Sequence, residues 1–229
     1  MRIDIWSDVI CPWCFLGKRR FDAAVSRLGG LDGELAGKRA GVEVRWRAFQ
    51  LDPTATSEPG DLEASIDRKY GPGSFDRMTH RLVTLGTEEG IDYRFDLAKR
   101  VNTVDAHRLV AWARAVGGAD LQAAMVERLF VAYFEEGASV ADHHTLARLA
   151  AEAGLDASAT AEMLSGSDLV AEVERDVAQA RERGVTGVPA FVVNDQFVIP
   201  GAQDTETFVS LLGRLAERAG TGGGGAPRG

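Results

Sequence analysis

The chain begins with a short, mostly apolar run, Arg2-Ile3-Asp4-Ile5-Trp6-Ser7, of a length suited to one strand. A helical spacing of apolar residues then runs from about Phe15 to Leu28. Gly29 to Gly41 is polar and glycine-rich and reads as a connection. Val42-Glu43-Val44-Arg45-Trp46-Arg47-Ala48-Phe49 alternates apolar and polar strictly, which predicts a strand with one buried face. A helix between two strands predicts a parallel pair. Leu51-Asp52-Pro53 and Ser57-Glu58-Pro59-Gly60 break the strand pattern.

From about residue 60 to 166 the pattern turns helical. The spacing predicts helices over 61–70, 74–89, 104–116, 119–135, 142–153 and 157–165. Asp142 and Asp156 stand where N-caps belong, and Gly154 followed by Leu155 fits a Schellman-type end. Leu121, Met125, Leu129 and Ala132 recur at helical spacing and read as core rather than as a cofactor lining. No strand pattern interrupts this stretch, so the expectation is a helical subdomain inserted into a β/α unit. A further helix is expected from Ser167, as its cap, to Arg183, with Gly184 ending it. Ala190 to Val193 is a short apolar strand, Asn194-Asp195-Gln196 a turn, and Phe197-Val198-Ile199-Pro200 an antiparallel partner. Thr205 to Arg218 forms the last expected helix. The predicted architecture is α/β, with one discontinuous domain over 1–52 and 167–218. Residues 53–166 form the helical insert, and 219–229 a glycine-rich disordered tail.

Charge and composition narrow the function. The 229 residues are 45% hydrophobic with a formal net charge of -8, which fits a soluble protein and argues against nucleic-acid binding. Lys18-Arg19-Arg20 is then the solvated face of the first helix. The start enters a strand pattern without the apolar stretch of a signal peptide, and no apolar run is long enough for a membrane span. A cytoplasmic location is the expectation. Oligomeric state, monomer or homodimer, stays open.

The chemistry centres on Cys11-Pro12-Trp13-Cys14, which holds the chain's two cysteines. They stand between the first strand and the first helix. Unpaired N–H groups at a helix start favour an anion, so the Cys11 thiol is expected to ionise readily. Cys14, one turn on, can attack a mixed disulfide formed at Cys11. Pro12 suits a first turn, where its missing N–H costs nothing. A zinc site needs about four ligands and finds two here, so no metal is expected. Two buried, inert thiols are the plain alternative. Pro189 precedes a core strand, where proline is tolerated at the first position. A cis bond between Val188 and Pro189 would free the Val188 backbone to pair with an extended peptide; a trans proline in a tight turn is the ordinary alternative.

Three separated segments carry a resemblance. They are Ser7-Asp8-Val9-Ile10-Cys11-Pro12-Trp13-Cys14-Phe15-Leu16-Gly17, Asn102-Thr103-Val104-Asp105-Ala106-His107-Arg108-Leu109, and Gly184 to Phe191 with Ile199-Pro200-Gly201-Ala202-Gln203. Together they resemble the DsbA-like family, in particular its cytoplasmic FrnE-type branch, over roughly residues 1–218. The resemblance implies a thioredoxin fold with an inserted helical domain. It implies Cys11 as attacking thiol, Cys14 as resolving thiol and Pro189 as a cis-proline facing them. Pro12, Trp13, Val188 and Pro189 would touch substrate. Asn102 and His107 match a family motif; His107, on an apolar helix face, reads first as packing or domain docking and second as tuning a thiolate. His143 and His144 read as surface residues. The implied activity is thiol–disulfide oxidoreductase or isomerase on disulfide-containing proteins or peptides, with no tightly bound cofactor and with glutathione as reductant or co-substrate. A sister branch, the kappa-class glutathione transferases and 2-hydroxychromene-2-carboxylate isomerases, carries serine in place of the first cysteine. It supplies the alternative of a glutathione-dependent isomerase or transferase on a small aromatic molecule. A third alternative is a peptide-binding, chaperone-like module without redox turnover.

Overall fold

The computed structural model describes residues 1–30 and 42–221. Most of the expected Gly29–Gly41 connection and the end of the expected tail lie outside them. Among the described residues twelve elements follow in order: β1 (Arg2–Ser7), α1 (Pro12–Gly30), β2 (Glu43–Ala48), α2 (Leu62–Tyr70), α3 (Ser74–Glu88), α4 (Val104–Phe134), α5 (His143–Ala153), α6 (Ala157–Ser165), α7 (Val170–Glu182), β3 (Ala190–Val193), β4 (Phe197–Pro200) and α8 (Thr205–Thr221). The strands form one sheet in the order β2-β1-β3-β4. β1 pairs parallel with β2 and antiparallel with β3, and β3 pairs antiparallel with β4. A thioredoxin fold with a helical insertion is the result.

Period-two alternation sorts β1 between the two faces of this sheet. Ile3 and Ile5 join Phe21 of α1, Phe191 and Phe208 of α8 in one core, all buried. Each such side chain contributes about 1.5–3 kcal/mol on burial. Trp6 looks the other way and packs with Ala180, Val185, Ala190 and Val192. On that face its indole N–H donates to the Asp176 carbonyl of α7, and Asp4 and Asp176 both pair with Arg47.

Helix boundaries depart from the pattern where distant partners intervene. Helix α1 starts at Pro12 and runs two residues beyond Leu28. The predicted helices 104–116 and 119–135 do part, at Gly118, whose φ of 73° and ψ of -157° no helix contains, so α4 is two helices joined across a kink. Asp142 and Asp156 cap as expected, accepting from Thr145 and Ala159 N–H. Helix α7 begins at Val170, not Ser167, with Leu169 left-handed at φ 65° before it. Arg108 explains the delay: its guanidinium takes the Gly166 and Asp168 carbonyls, which a helix begun at Ser167 would not leave in place. At the other end α8 reaches Thr221, so residues 219–221 are helical rather than part of a tail.

Candidate active site

The two cysteines sit where β1 hands over to α1, and both are free thiols. Strand β1 ends at Ser7. The Asp8 carbonyl then accepts the Cys11 N–H at 3.0 Å, a turn that carries the chain from the sheet into the helix. The Cys11 carbonyl accepts from Cys14 and Phe15 N–H at 3.0 and 3.3 Å, which winds the first turn. Cys11 keeps 3% of its surface exposed and Cys14 none. Burial, and then the neighbouring Cys11, push the Cys14 thiol up, while the Ser7 hydroxyl and the Asp8 N–H act in the other direction. Cys14 is therefore held as a thiol until something reaches its partner.

The Val188-Pro189 peptide bond is cis, and the Cys11 thiol donates to the Val188 carbonyl (Sγ···O 3.6 Å). The loop before β3 thus meets the dithiol although 177 residues separate the partners. Gly17 makes room for it: a Cβ there would lie 3.0 Å from Pro189 Cγ. The Pro189 carbonyl accepts from Gly201 N–H at 2.8 Å, which ties the loop to the end of β4. The Val188-Pro189 loop is thus brought to the helix start that carries Cys11 and Cys14. Pro12 and Trp13 stand in the turn between the cysteines, half-buried, and the Arg81 guanidinium of α3 lies 5.6 Å over the Trp13 ring.

Asn102 and His107 lie behind this turn and anchor the crossing from β2 into the helices. Asn102 donates to the Ala55 carbonyl at 2.9 Å and accepts from Val104 N–H at 2.9 Å, joining the loop after β2 to the start of α4. His107 is buried, with Nε2 2.9 Å from the Phe49 carbonyl. A carbonyl only accepts, so Nε2 carries a proton. Asp8 Oδ1 stands 3.3 Å from the same nitrogen and has no hydrogen bond of its own; Oδ2 accepts from Leu51 N–H at 2.7 Å. Of the remaining histidines, His143 pairs with Asp105 at 2.8 Å and His144 is exposed.

Four residues at the site were given no role in the sequence: Ser7, Asp8 and Gly17, which stand in the resembling segment around the cysteines, and Tyr93. Asp8 had a signal, an acid inside the apolar stretch from Ile5 to Ile10. Tyr93 had none. It follows α3 in a loop, and its hydroxyl donates to the Pro12 carbonyl at 2.5 Å. Burial, then Cys11 and Cys14, push its phenol far up, so it stays a neutral donor. Among the described residues no group of three or more His, Cys, Asp and Glu is placed to hold a metal, and no helix is long and apolar enough to cross a membrane.

A helix-start dithiol faced by a cis-proline loop, on a sheet interrupted by helices, defines a thioredoxin-fold domain of the DsbA type. The chain belongs to the DSBA-like thioredoxin domain family, which matches residues 2–213. It is similar to the probable DsbA oxidoreductase SCO1869 of Streptomyces coelicolor, with 31% identity, 100% of this chain and 93% of that one covered, and a TM-score of 0.83. A 2-hydroxychromene-2-carboxylate isomerase shares the fold at 21% identity over 96% of this chain and 98% of its own, with a TM-score of 0.68. So does the cytosolic disulfide reductase DsbM of Pseudomonas aeruginosa, solved with GSH, at 20% identity over 95% and 100%, with a TM-score of 0.67.

Proposed function

We propose that the chain is a thiol–disulfide oxidoreductase that reduces, forms or reshuffles disulfides in protein or peptide substrates through Cys11 and Cys14. The observation that carries this reading is the pairing of a Cys11 thiol turned toward the Val188 carbonyl with a fully buried Cys14 one helical turn behind it. Cys11, as thiolate, attacks one sulfur of a substrate disulfide. A Cys11–substrate bond forms, the substrate disulfide breaks, and the departing sulfur takes a proton. Cys14 then loses its proton and attacks Cys11 Sγ. The mixed disulfide breaks, the second substrate thiol leaves, and a Cys11–Cys14 disulfide remains. Two electrons have passed to the substrate. The reverse sequence oxidises a dithiol, and release of Cys11 before Cys14 attacks gives reshuffling. Two equivalents of a small thiol, glutathione among them, regenerate the dithiol as their own disulfide forms.

A dithiol cycle of this kind suits the cytoplasm, where the thiol pool keeps such pairs reduced between turnovers. The structure of DsbM with GSH supports glutathione as the small thiol. A redox titration tests the reading. The protein is equilibrated in graded reduced and oxidised glutathione, alkylated and weighed intact. A clean switch between dithiol and internal disulfide is expected, and Cys11→Ser should abolish reductase and isomerase turnover. A persistent single glutathione adduct, with turnover of an aromatic substrate surviving Cys14→Ala, would replace this reading with a glutathione-dependent isomerase or transferase. Peptide binding unchanged in Cys11→Ala/Cys14→Ala, with no redox activity in the wild type, would replace it with a binding module.

A further inference from the structure

The first turn of α1 has few donors to offer a thiolate at Cys11. Pro12 has no N–H, and the Cys14 and Phe15 N–H groups are engaged by the Cys11 carbonyl at 3.0 and 3.3 Å. Among the described residues the Trp13 N–H has no backbone acceptor and is the donor left over. Its peptide unit is the one whose carbonyl belongs to Pro12. That carbonyl accepts the Tyr93 hydroxyl at 2.5 Å. Donation to the carbonyl end of a peptide unit polarises its N–H end.

We propose that Tyr93 is a positioning residue for Cys11, and that through it the helical insertion sets how oxidising the dithiol is. This rests on the redox reading of Cys11 and Cys14 given above. The Tyr93 ring is held from three sides. It stacks on Phe95 at 5.0 Å and meets Phe134 and Phe15 edge-on at 5.3 and 6.1 Å. Behind it α3 leaves a gap at Gly86, where a Cβ would stand 2.5 Å from the ring. Two more contacts lock the same segment to α1: Arg81 over Trp13, and Glu89 with Arg20 at 2.8 Å. A shift of α3 therefore moves the phenol relative to the Pro12 carbonyl.

The test removes one oxygen. Tyr93→Phe keeps the ring contacts and loses the bond to Pro12. At fixed pH, alkylation of Cys11 should slow about threefold to tenfold, the worth of one hydrogen bond. The glutathione equilibrium should move toward the disulfide by the same factor, ~14–30 mV more reducing at 29.6 mV per tenfold. Tyr133→Phe is the control. Its hydroxyl donates to the Lys99 carbonyl at 2.7 Å, so its loss should lower stability without moving the equilibrium. Gly86→Ala pushes the ring from behind and should shift the equilibrium the same way, which keeps the link readable if Tyr93→Phe does not fold. An equilibrium and alkylation rate in Tyr93→Phe equal to wild type overturns the inference. A wild type with no Cys11–Cys14 couple at all overturns the redox reading instead, so the two failures are told apart.

Discussion

His107 and Arg108 are neighbours on α4, both buried, and they look into regions that treat polar groups differently. Arg108 faces the insertion. Its five N–H groups meet five acceptors: the Asp168, Leu164, Met163 and Gly166 carbonyls and the Asp105 carboxylate, at 2.7–3.3 Å. His107 faces the turn after β1, at Phe49 and Asp8. There Asp8, fully buried, has one oxygen bonded to Leu51 N–H and the other bonded to nothing. A saturated buried charge is part of the framework, because removing it strands all its partners. An unsaturated buried carboxylate contributes little to stability and sits where chemistry happens.

The largest test of that contrast is Arg108→Met. It takes the Arg108 donor from four carbonyls and from Asp105 Oδ1 and releases the turn that starts α7, so it should cost about 3–5 kcal/mol in denaturant unfolding. A loss under ~1 kcal/mol would remove the distinction between the two regions. His107→Phe keeps the ring volume and deletes the Nε2–H that meets the Phe49 carbonyl; about 1–3 kcal/mol should be lost, the cost of an unmatched buried acceptor. Asp8→Asn should lie within ~1 kcal/mol of wild type or above it. An Asn oxygen still accepts from Leu51 N–H. If Asp8→Asn cost as much as Arg108→Met, Asp8 would belong to the framework too.

The smallest effect concerns Asp176, on the face of the sheet away from Cys11. Burial pushes its carboxyl up, against the pull of Arg47 and the Ala48 N–H. An acid whose folded value lies above its unfolded one, near 3.8, contributes stability that is complete below the unfolded value. That contribution fades as pH rises through the folded value. Melting curves of wild type minus Asp176→Asn should therefore show a difference that shifts against the wild type as pH rises from about 4 upward. A difference that does not vary with pH would mean that Arg47 fully offsets the burial.

What the sequence made legible was local. The strand at Val42–Phe49 declares itself by alternation, Asp142 and Asp156 by their place before apolar runs, and the dithiol by spacing. What stayed hidden depends on partners far along the chain. Ser167 looks like a cap until Arg108, about sixty residues earlier, claims the carbonyls around it. Tyr93 is one aromatic in a loop, and nothing near it in the sequence says that its hydroxyl ends on Pro12. Asp8 was readable in principle as an acid within an apolar stretch, though the oxygen left unbonded depends on where His107 comes to rest.

The distance between Cys11 and Val188 along the chain also sets a clock during synthesis. The cysteines are made 177 residues before the loop that will face them. At ~5–20 residues per second, a growing chain carries the pair uncovered for about 9–35 s. In that interval the thiols meet the small-molecule pool without the loop that later meets Cys11. Alkylation of ribosome-bound chains of increasing length should show Cys14 reactive at first and protected once β3 has emerged. Protection complete before Pro189 is made would assign the shielding of Cys14 to α1 and the insertion alone.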